Sequence, residues 1–410
     1  MTRRVIFVNR VYWPSTEATA QLLDDLAKGL AENEIDVEIV TASAGENIRQ
    51  SSSGKSIRII RTGKHHGLTI GLWTKLKAHL RFLRAARHHL RENLREDDLV
   101  VTMTDPPLLG TVLSRVIRQR QARHWHWSQD VYPEVAIAIL PNPVIRTGLS
   151  LLKPWRNRVW KNADGIVAIG HDMTHLIRNE VGSGTQIRIF PNWPPATTNS
   201  IEANGIRQSL GCEDTDFVIM YSGNLGRAHI LTPVLDLAAR LQHLPRLKFL
   251  IVGDGAQKTD LQEKVKSRSL DNVTFHPPVP LRDLNSLLHS ASVHLVTMRP
   301  ECSGTVLPSK FYGIIEARKP VLFIGPTDGE IARSINQHDI GAVCSPTNVD
   351  SGMEFLESAS KDTGNLNQIL ARVDSFARNQ TGLKGAIAEW TKIIQQIEVP
   401  STQLSSKPPA

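Results

Sequence analysis

Two glycines, an amide and two basic side chains follow one apolar segment in the second half of the chain. The stretch Tyr221–His229 reads YSGNLGRAH and comes directly after the apolar run Phe217–Met220, which predicts a buried strand. Gly223 and Gly226 allow a sharp turn and a close approach of the backbone to a ligand. Arg227 could hold two phosphate oxygens with its guanidinium fork, and the helix predicted after the stretch would offer free N–H groups. The stretch therefore fits a phosphate site, although by itself it fits a tight turn with a solvated arginine equally well.

Three later loops favour the phosphate site because each follows a predicted strand of the same sheet. The turn Gly253–Gly255 follows the apolar run Phe249–Val252. Residues His276–Val279 (HPPV) present backbone groups rather than long side chains, as expected of a wall for a flat base. The segment Cys302–Gly325 opens a helix after small residues, with Lys310 in the first turn. The carboxyl ends of parallel strands meet at one edge of a sheet, so we expect these loops to form one nucleotide site.

Apolar strands alternate with amphipathic helices in both halves of the chain, which predicts an α/β protein of two doubly wound domains that face each other across a cleft. A linker rich in Pro, Asn and Thr at 191–205 separates a first domain at 1–196 from a second domain at 206–379. A helix at about 380–397 is expected to pack back on the first domain, and the polar tail 399–410 is expected to be disordered. The predicted strands are 4–9, 37–41, 57–60, 99–103, 124–128, 165–169 and 187–190 in the first domain, and 217–221, 248–252, 273–276, 293–297, 321–324 and 342–343 in the second.

The composition is that of a soluble globular protein, with 410 residues of which 40% are hydrophobic and 21% charged. The three cysteines, Cys212, Cys302 and Cys344, are too scattered for a disulfide framework or a metal site. The amino-terminal MTRRVIFVNR lacks the apolar core of a signal peptide, and no run of 18 apolar residues occurs. These features predict a cytoplasmic protein that is neither exported by that route nor membrane-spanning.

Basic charge is concentrated in the first half of the chain. Residues 1–196 hold 27 Lys and Arg against 18 Asp and Glu, whereas the remaining residues hold 21 against 22. We expect the cations of a predicted helix at 74–95 and of the Trp-containing stretch 149–163 to bring the protein to an anionic membrane surface, where each would contribute roughly 1 kcal/mol. A solvated basic surface is the alternative. The same predicted helix carries an apolar stripe that we expect to pack on the first sheet, formed by Leu76, Leu80, Leu83, Leu90 and Leu94.

The order of its motifs makes the chain resemble the retaining GT-B glycosyltransferases of family 4, and more closely the bacterial sugar transferases that assemble surface polysaccharides. The resemblance covers nearly the whole chain and rests on order and spacing, since each motif alone is unspecific. The motifs are YWP at 12–14, QDVYPE at 129–134, ADGIVAIG at 163–170, FPNW at 190–193, SGNLGRAH at 222–229, VGDG at 252–255, PSKFYGI at 308–314 and KPVLFIG at 319–325. The resemblance implies a GT-B fold, a nucleotide-sugar donor, an acceptor hydroxyl and retention of the anomeric configuration.

The resemblance also implies roles for the matched positions. Arg227 would hold the donor diphosphate and Lys310 would share that charge. Asp130 would lie beside the reacting centre, and Glu17 would face donor and acceptor. His276–Val279 would lie where the nucleobase binds. The implied catalytic residues are Asp130, Glu17, Arg227 and Lys310, and the implied donor-binding residues are Gly223, Asn224, Gly226, Arg227, Gly253, His276, Val279, Ser309, Lys310 and Glu316.

Two features depart from the family pattern. The usual pair of glutamates separated by seven residues falls here on Thr305 and Gly313, and the second of them would ordinarily grip the donor ribose. Either Glu316, one turn further along the helix, or Glu301 could replace it, while a solvated helix carboxylate is the other interpretation of Glu316. A histidine is often found where this chain has Gln129. The donor-ribose contact is therefore expected to differ from the family pattern.

The implied reaction needs no cofactor. In this family the departing phosphate oxygen is thought to take the acceptor proton, so Asp130 would orient groups or stabilise charge. No metal is expected, since no Asp-x-Asp pair lies in a strand-end loop and the histidines lack ligand spacing. A UDP-sugar is the favoured donor, and a saccharide or polyprenyl-linked compound is the expected acceptor.

Two other functions stay open on the sequence. A nucleotide-sugar epimerase or hydrolase could use the same fold. The net charge of +8 could indicate a non-enzymatic nucleic-acid-binding protein, but no recognition-helix, zinc or aromatic-stacking motif occurs, so nucleic acid is not an expected partner. The expected location is the cytoplasm, with peripheral binding to the inner face of the plasma membrane.

Overall fold

Runs of four or five buried residues form the central strands of two sheets, one in each half of the chain. Every residue is buried in strands β1 (Arg4–Val8), β5 (Leu99–Thr102) and β13 (Val321–Ile324). Strands buried on both faces are typical of parallel sheets that helices cover on each side. The prediction of two doubly wound α/β domains is confirmed.

The structure is a computed structural model that describes residues 4–62, 72–194 and 203–396. The predicted tail at 399–410 lies outside these residues, as do positions 195–202 of the predicted linker.

The first domain contains a sheet of eight strands. Besides β1 and β5 these are β2 (Asp36–Thr41), β3 (Ile48–Gln50), β4 (Ser56–Arg61), β6 (Arg123–Ser128), β7 (Gly165–Ala168) and β8 (Ile187–Ile189). They lie in the order β3-β4-β2-β1-β5-β6-β7-β8, and all neighbours are parallel except β3 and β4. Strand β3 is not among the predicted strands, because this short antiparallel edge strand buries no apolar run.

The second domain contains a parallel sheet of six strands. Besides β13 these are β9 (Phe217–Ser222), β10 (Leu247–Val252), β11 (Val273–His276), β12 (Val293–Thr297) and β14 (Gly341–Cys344). The order is β11-β10-β9-β12-β13-β14, so the chain reverses its direction across the sheet between β9 and β12. Ligands bind in such sheets beyond the carboxyl ends of the strands at the point of reversal.

Helices cover both sheets. The first domain has α1 (Ala18–Glu32), α2 (Leu72–Asn93), α3 (Leu109–Gln119), α4 (Glu134–Ile139), α5 (Pro143–Ser150), α6 (Lys153–Lys161) and α7 (His171–Val181). The second has α8 (Ala203–Ser209), α9 (Thr232–Arg240), α10 (Lys258–Ser267), α11 (Leu284–Ser290), α12 (Lys310–Glu316), α13 (Glu330–His338), α14 (Asp350–Lys361) and α15 (Thr363–Arg378), with 3-10 turns at Leu281–Asp283 and Pro300–Cys302. Of the helices described, none is both long and apolar enough to cross a membrane.

The last helix, α16 (Gly382–Gln396), returns to the first domain and packs against α1. Trp390 is fully buried there, and its ring centroid lies 5.7 Å from that of Phe7. Where the two helices cross, a Cβ at Gly29 would lie 2.1 Å from Cδ1 of Ile387. The core of the first domain is therefore completed by residues that follow the second domain in the sequence.

Helix α2 packs differently from the prediction. Leu90 and Leu94 are buried together with Phe82, as expected. Leu76 and Leu80, in contrast, are 46% and 43% exposed, so the expectation that the whole leucine stripe packs on the sheet is wrong for its amino-terminal half. The physical reason is length, because a 22-residue helix is about 33 Å long, whereas the six-residue strand β2 that it contacts is about 20 Å long.

Backbone N–H groups donate hydrogen bonds from one domain to the other in the described part of the chain. The N–H of Val131 donates to the backbone O of Thr305 at 2.8 Å. The N–H of Glu330, at the start of α13, donates to Oδ2 of Asp172 in α7 at 2.7 Å. At the second contact a Cβ at Gly170 would lie 2.1 Å from Oε2 of Glu330, so a larger residue there would require the Glu330 side chain to move.

Candidate active site

The two glycine turns pack directly on each other at the carboxyl ends of β9 and β10. Gly223 and Gly253 have φ angles of +125° and +152°, a region that glycine adopts readily. A Cβ at Gly253 would lie 2.0 Å from the backbone O of Gly223, so no larger residue fits there. The N–H of Leu225 donates to the backbone O of Asp254 at 2.8 Å. Residues 223–226 and Gly253 thus form one backbone-lined surface, which we call the glycine rim.

Lys310 lies beneath the glycine rim. Its Nζ is 3.6 Å from the ring centroid of Tyr221 and 3.5 Å from the position that a Cβ on Gly223 would take. This Nζ is buried and has no hydrogen-bond partner among the residues described. Burial lowers the pKa of Lys310 well below its usual value. Because a buried charge without a partner is costly, an anion bound on the rim would stabilise the ammonium.

Two neighbouring polar groups support the rim rather than add charge to it. The O–H of Tyr221 donates to the backbone O of Asn224 at 2.8 Å. Nδ1 of His229 donates to the backbone O of Thr297 at 2.6 Å. Burial and the charge of Lys310 lower the pKa of His229 to about 3, so this histidine is neutral at physiological pH.

The side chain of Arg227 lines a cavity of about 630 Å³ between the domains. Arg299 and Glu301 of the second domain and Arg146 of the first domain line the same cavity. Nε of Arg299 donates to the backbone O of Arg227 at 2.7 Å. Lys310 and Arg227, which the sequence analysis assigned to one diphosphate, therefore have different surroundings, one under the glycine rim and one in the cavity. Arg146 and Arg299 are not among the site residues predicted from the sequence.

The predicted nucleobase wall adjoins the glycine rim. The backbone O of His276 accepts a hydrogen bond from the N–H of Gly253 at 3.0 Å. Val279 packs against a hydrophobic cluster that includes Val252 and Leu287. Nε2 of His276 is buried and has no partner within the described part of the chain.

The candidate ribose carboxylates lie apart from each other. Ser309 directly precedes α12 and is half-buried. Glu316 is the last residue of α12, about 9 Å along the axis from Lys310, and its largely exposed carboxylate pairs with Arg318 at 3.4 Å. Glu301 faces the cavity of Arg227. The structure thus brings Lys310 to the rim, with Ser309 next to it in the sequence, but it does not bring Glu316 there.

Asp130 follows β6 in the first domain and lines a small cavity with Thr104, His126 and Tyr132. Burial and the nearby charge of Asp105 raise the pKa of Asp130 to about 6. The carboxylate is therefore ionised at neutral pH but protonates under mildly acidic conditions.

Arg10 holds two carboxylates at the same edge of the first sheet. Its Nε and Nη2 donate to Oδ1 and Oδ2 of Asp105, both at 2.8 Å, and Nη2 lies 3.9 Å from Oε2 of Glu17. Arg10 and Asp105 are not among the site residues predicted from the sequence. The sequence does contain a signal for both residues, because each comes shortly after an apolar strand, as Asp130 does.

A buried ion pair fixes the loop that carries Asp130. Arg156, whose side chain is 2% exposed, donates to both carboxylate oxygens of Glu134 at 2.7 and 2.8 Å and to the backbone O of Tyr132 at 2.8 Å. Gln129 and Asn192 exchange two amide hydrogen bonds at 2.9 and 3.2 Å. Gln129 therefore has a structural partner in this chain.

Two buried histidines behind the loop are neutral. Nε2 of His124 and Nδ1 of His126 lie 2.9 and 3.2 Å from the hydroxyl of Thr102. Burial lowers the pKa of His124 to about 4 and that of His126 to about 3. Neither can serve as a charged group at physiological pH.

The candidate site combines the glycine rim of one domain with a group of carboxylates in the other. The hydrogen bond from Val131 to Thr305 links the Asp130 loop to the segment that leads to Lys310. Within the ranges that the structure describes, no three His, Cys, Asp or Glu side chains form a cluster suited to a metal ion. The second domain thus offers a backbone-lined rim above a buried ammonium, and the first domain carries Asp105, Asp130 and Glu17 beyond the ends of its strands.

Residues 203–376 match the family described as glycosyl transferases group 1, and residues 19–193 match the glycosyl transferase 4-like domain. The chain is 27% identical over 326 residues to the probable glycosyltransferase WbjE of Pseudomonas aeruginosa. The aligned region covers 75% of this chain and 77% of that protein. The chain is also 30% identical over 158 residues to the putative colanic acid biosynthesis glycosyl transferase WcaI of Escherichia coli strain K12. That aligned region covers 38% of this chain and 39% of that protein.

Solved structures share the fold. Sucrose-phosphate synthase from Thermosynechococcus elongatus superimposes with a TM-score of 0.76 at 15% identity, over 96% of this chain and 99% of that one. Anabaena Alr3699/HepE in complex with UDP-glucose superimposes with a TM-score of 0.70 at 15% identity, again over 96% and 99%.

Proposed function

We propose that this chain, which is a glycosyltransferase of the GT-B fold, transfers a sugar from a nucleotide-sugar donor to an acceptor hydroxyl and retains the anomeric configuration. The observation that carries the proposal is the buried Nζ of Lys310, which lies under Gly223 without a hydrogen-bond partner in the described ranges. A donor diphosphate on the glycine rim supplies the acceptor oxygens that this ammonium lacks.

In the proposed reaction the diphosphate leaves the anomeric carbon of the sugar, and charged groups of the protein stabilise the leaving diphosphate. The bond from the anomeric carbon to a phosphate oxygen breaks, and the acceptor oxygen forms the new bond. The departing phosphate oxygen takes the acceptor proton. Lys310, the N–H groups of the rim and Arg227 stabilise the leaving diphosphate, while Asp130 stabilises positive character at the sugar and Glu17 faces the acceptor. These cations carry the charge of the diphosphate in the proposal, so that no metal or cofactor takes part.

A UDP-sugar, such as a UDP-N-acetylhexosamine, is the proposed donor. Support comes from Anabaena Alr3699/HepE, a protein of the same fold whose structures include complexes with UDP and with UDP-glucose. The base would lie on His276–Val279, next to the glycine rim, and Glu301 rather than Glu316 would hold the ribose.

The proposed acceptor is a saccharide or a polyprenyl-linked saccharide in bacterial polysaccharide assembly. The printed name of the relative WcaI, which refers to colanic acid biosynthesis, supports this class. A membrane-bound acceptor also agrees with the surface of α5 and α6, where Val144, Leu151 and Trp155 are 78%, 75% and 51% exposed among the cations of these helices. We place this surface on the anionic inner face of the plasma membrane.

A panel of UDP- and GDP-sugars, incubated with and without a lipid-linked acceptor, tests the reaction. Release of nucleotide that depends on the acceptor supports transfer. Conversion of the free donor into another nucleotide sugar would indicate an epimerase, and release without an acceptor would indicate a hydrolase.

Titration calorimetry with UDP tests the donor site. The variant Lys310→Ala should weaken UDP binding by roughly tenfold or more, because a hydrogen-bonded charge is lost. Lys266→Ala, which removes an exposed lysine of α10, is the matched control and should bind like the wild type. Unchanged UDP affinity in Lys310→Ala would overturn the assignment of the diphosphate.

A further inference from the structure

One aromatic ring, that of Tyr221, is the immediate neighbour of the buried ammonium of Lys310. Tyr221 is fully buried on β9, and Nζ of Lys310 lies 3.6 Å from the centroid of its ring. The position that a Cβ on Gly223 would take is 3.5 Å from the same Nζ. The ammonium therefore adjoins both the ring of Tyr221 and the glycine rim.

The ring face is the partner that this ammonium has in place of a carboxylate. In the described ranges, Nζ of Lys310 has no hydrogen-bond partner and no carboxylate within 4.0 Å. An aromatic face attracts a cation, and the attraction is stronger where water is excluded. A carboxylate would also stabilise the ammonium, but it would cancel the positive charge and occupy N–H groups. The ring stabilises the cation while the three N–H donors of the ammonium stay free for a ligand.

The titratable neighbours of Lys310 carry no charge at physiological pH. The ring of His229 meets that of Tyr221 edge to face, with 5.9 Å between the centroids. Burial and the charge of Lys310 lower the pKa of His229 to about 3. Burial raises the pKa of Tyr221 above its usual value, so the phenol keeps its proton. Neither group neutralises the ammonium.

The hydroxyl of Tyr221 holds the glycine rim. It donates to the backbone O of Asn224 at 2.8 Å, and Asn224 belongs to the rim. A single side chain thus contacts the buried cation with its face and the backbone next to that cation with its hydroxyl.

We infer that Tyr221 is a positioning residue of the donor site, whose ring holds Lys310 as an ammonium beside the glycine rim while its hydroxyl holds the loop that receives the diphosphate. Tyr221 acts through Lys310 and Asn224 and does not itself touch the donor. This inference rests on the proposed function. The alternative is that the ring only fills the core of the second domain, to which Tyr221 also belongs.

Titration of the Lys310 amine in the free protein tests the role of the ring without any ligand. Lysine labelled with carbon-13 at Cε gives an NMR signal that follows ionisation, and Lys310→Ala identifies this signal by its absence. Tyr221→Leu removes the ring face and should move the titration midpoint to lower pH by about one unit. Tyr221→Phe keeps the face and should leave the midpoint unchanged. Phe249→Leu, which replaces another fully buried ring on the neighbouring strand β10, is the matched control and should also leave it unchanged.

UDP affinity, measured over the same pH range, tests the consequence for the donor. Tyr221→Phe leaves the backbone O of Asn224 without its partner and should weaken UDP binding by the same factor at every pH. Tyr221→Leu should bind UDP as Tyr221→Phe does where Lys310 is protonated in both variants. At higher pH the leucine variant should bind up to about tenfold more weakly than the phenylalanine variant, because its Lys310 loses the proton earlier.

The outcomes separate the inference from the proposed function. Equal titration midpoints in Tyr221→Leu and Tyr221→Phe would overturn the inference and leave Tyr221 a core residue, whether or not UDP binds. An equal shift in Phe249→Leu would assign the effect to a loosened core and overturn it as well. If the midpoints shift as expected but the wild type does not bind UDP, the proposed function is wrong, because the ammonium then has no diphosphate to hold. Tyr221→Met, which also lacks a ring, replaces the leucine variant should that variant not fold.

Discussion

Asp130 is the residue whose chemistry depends most directly on its surroundings. Folding moves its pKa from the ordinary 3.8 to about 6 through burial and the charge of Asp105. If the ionised form stabilises the reacting sugar, kcat/KM should fall as the pH decreases through about 6. Asp130→Asn should lower kcat/KM by roughly tenfold or more at pH 7.5 and abolish this acidic limb. If kcat/KM of the variant still falls as the pH decreases through about 6, a group other than Asp130 is responsible for that fall.

The same pKa shift makes a prediction about stability. The folded state binds the Asp130 proton more tightly than the unfolded state, so ionisation opposes folding and stability decreases as the pH rises from about 4 to 6. Asp130→Asn should therefore raise the Tm at pH 7.5 and lose this advantage below about pH 4. Asp271→Asn, at an exposed site in the second domain, serves as the control and should leave the Tm unchanged at both pH values.

Lys310 should take up a proton when the donor binds. Burial lowers its pKa in the free protein, and a diphosphate would raise that pKa again. UDP affinity should therefore decrease as the pH rises above the pKa that Lys310 has in the free protein. Calorimetric titrations in two buffers of different ionisation enthalpy measure the uptake, which Lys310→Ala should abolish.

At the scale of the elements, the loop after β6 depends on helix α6. Arg156→Ala leaves Glu134 buried without its main partner, although Lys153 remains 3.4 Å away. Breaking a buried ion pair in this way should cost about 3 kcal/mol of unfolding free energy, measured by urea denaturation. Arg158→Ala changes an exposed arginine two residues further along α6 and should cost less than about 0.5 kcal/mol. Equal losses in both variants would contradict a special role for the pair.

The sequence predicts elements well where the signal is local. The turns at Gly223 and Gly253 follow apolar strands, and the structure brings them together because parallel strands end at one edge. The position of Lys310 under Tyr221, the pairing of Arg10 with Asp105 and the direction of Arg227 depend on contacts between distant segments, which no local pattern contains. Strand β3 gives no signal because it buries no apolar run.

For the whole molecule, the exposed apolar residues Leu151 and Trp155 predict which surface binds a membrane. The protein should float with vesicles that contain anionic lipid and detach at high salt, because screening weakens the attraction of its cations. Replacing Leu151 and Trp155 with glutamate should abolish flotation. Ile48→Glu changes another exposed apolar residue, on β3, and should float as the wild type does. Equal loss in both variants would point to general charge repulsion instead of a defined surface.

The return of α16 to the first domain has a consequence for biosynthesis. Trp390 fills the aromatic core of the domain that the ribosome makes first, yet the roughly 200 residues of the other domain are translated before it. At about 5–20 residues per second, the nascent first domain waits roughly 10–40 seconds with this part of its interior unfilled. During that interval the gap between the aromatic rings is open to water and to chaperones, so the domain begun first is completed last.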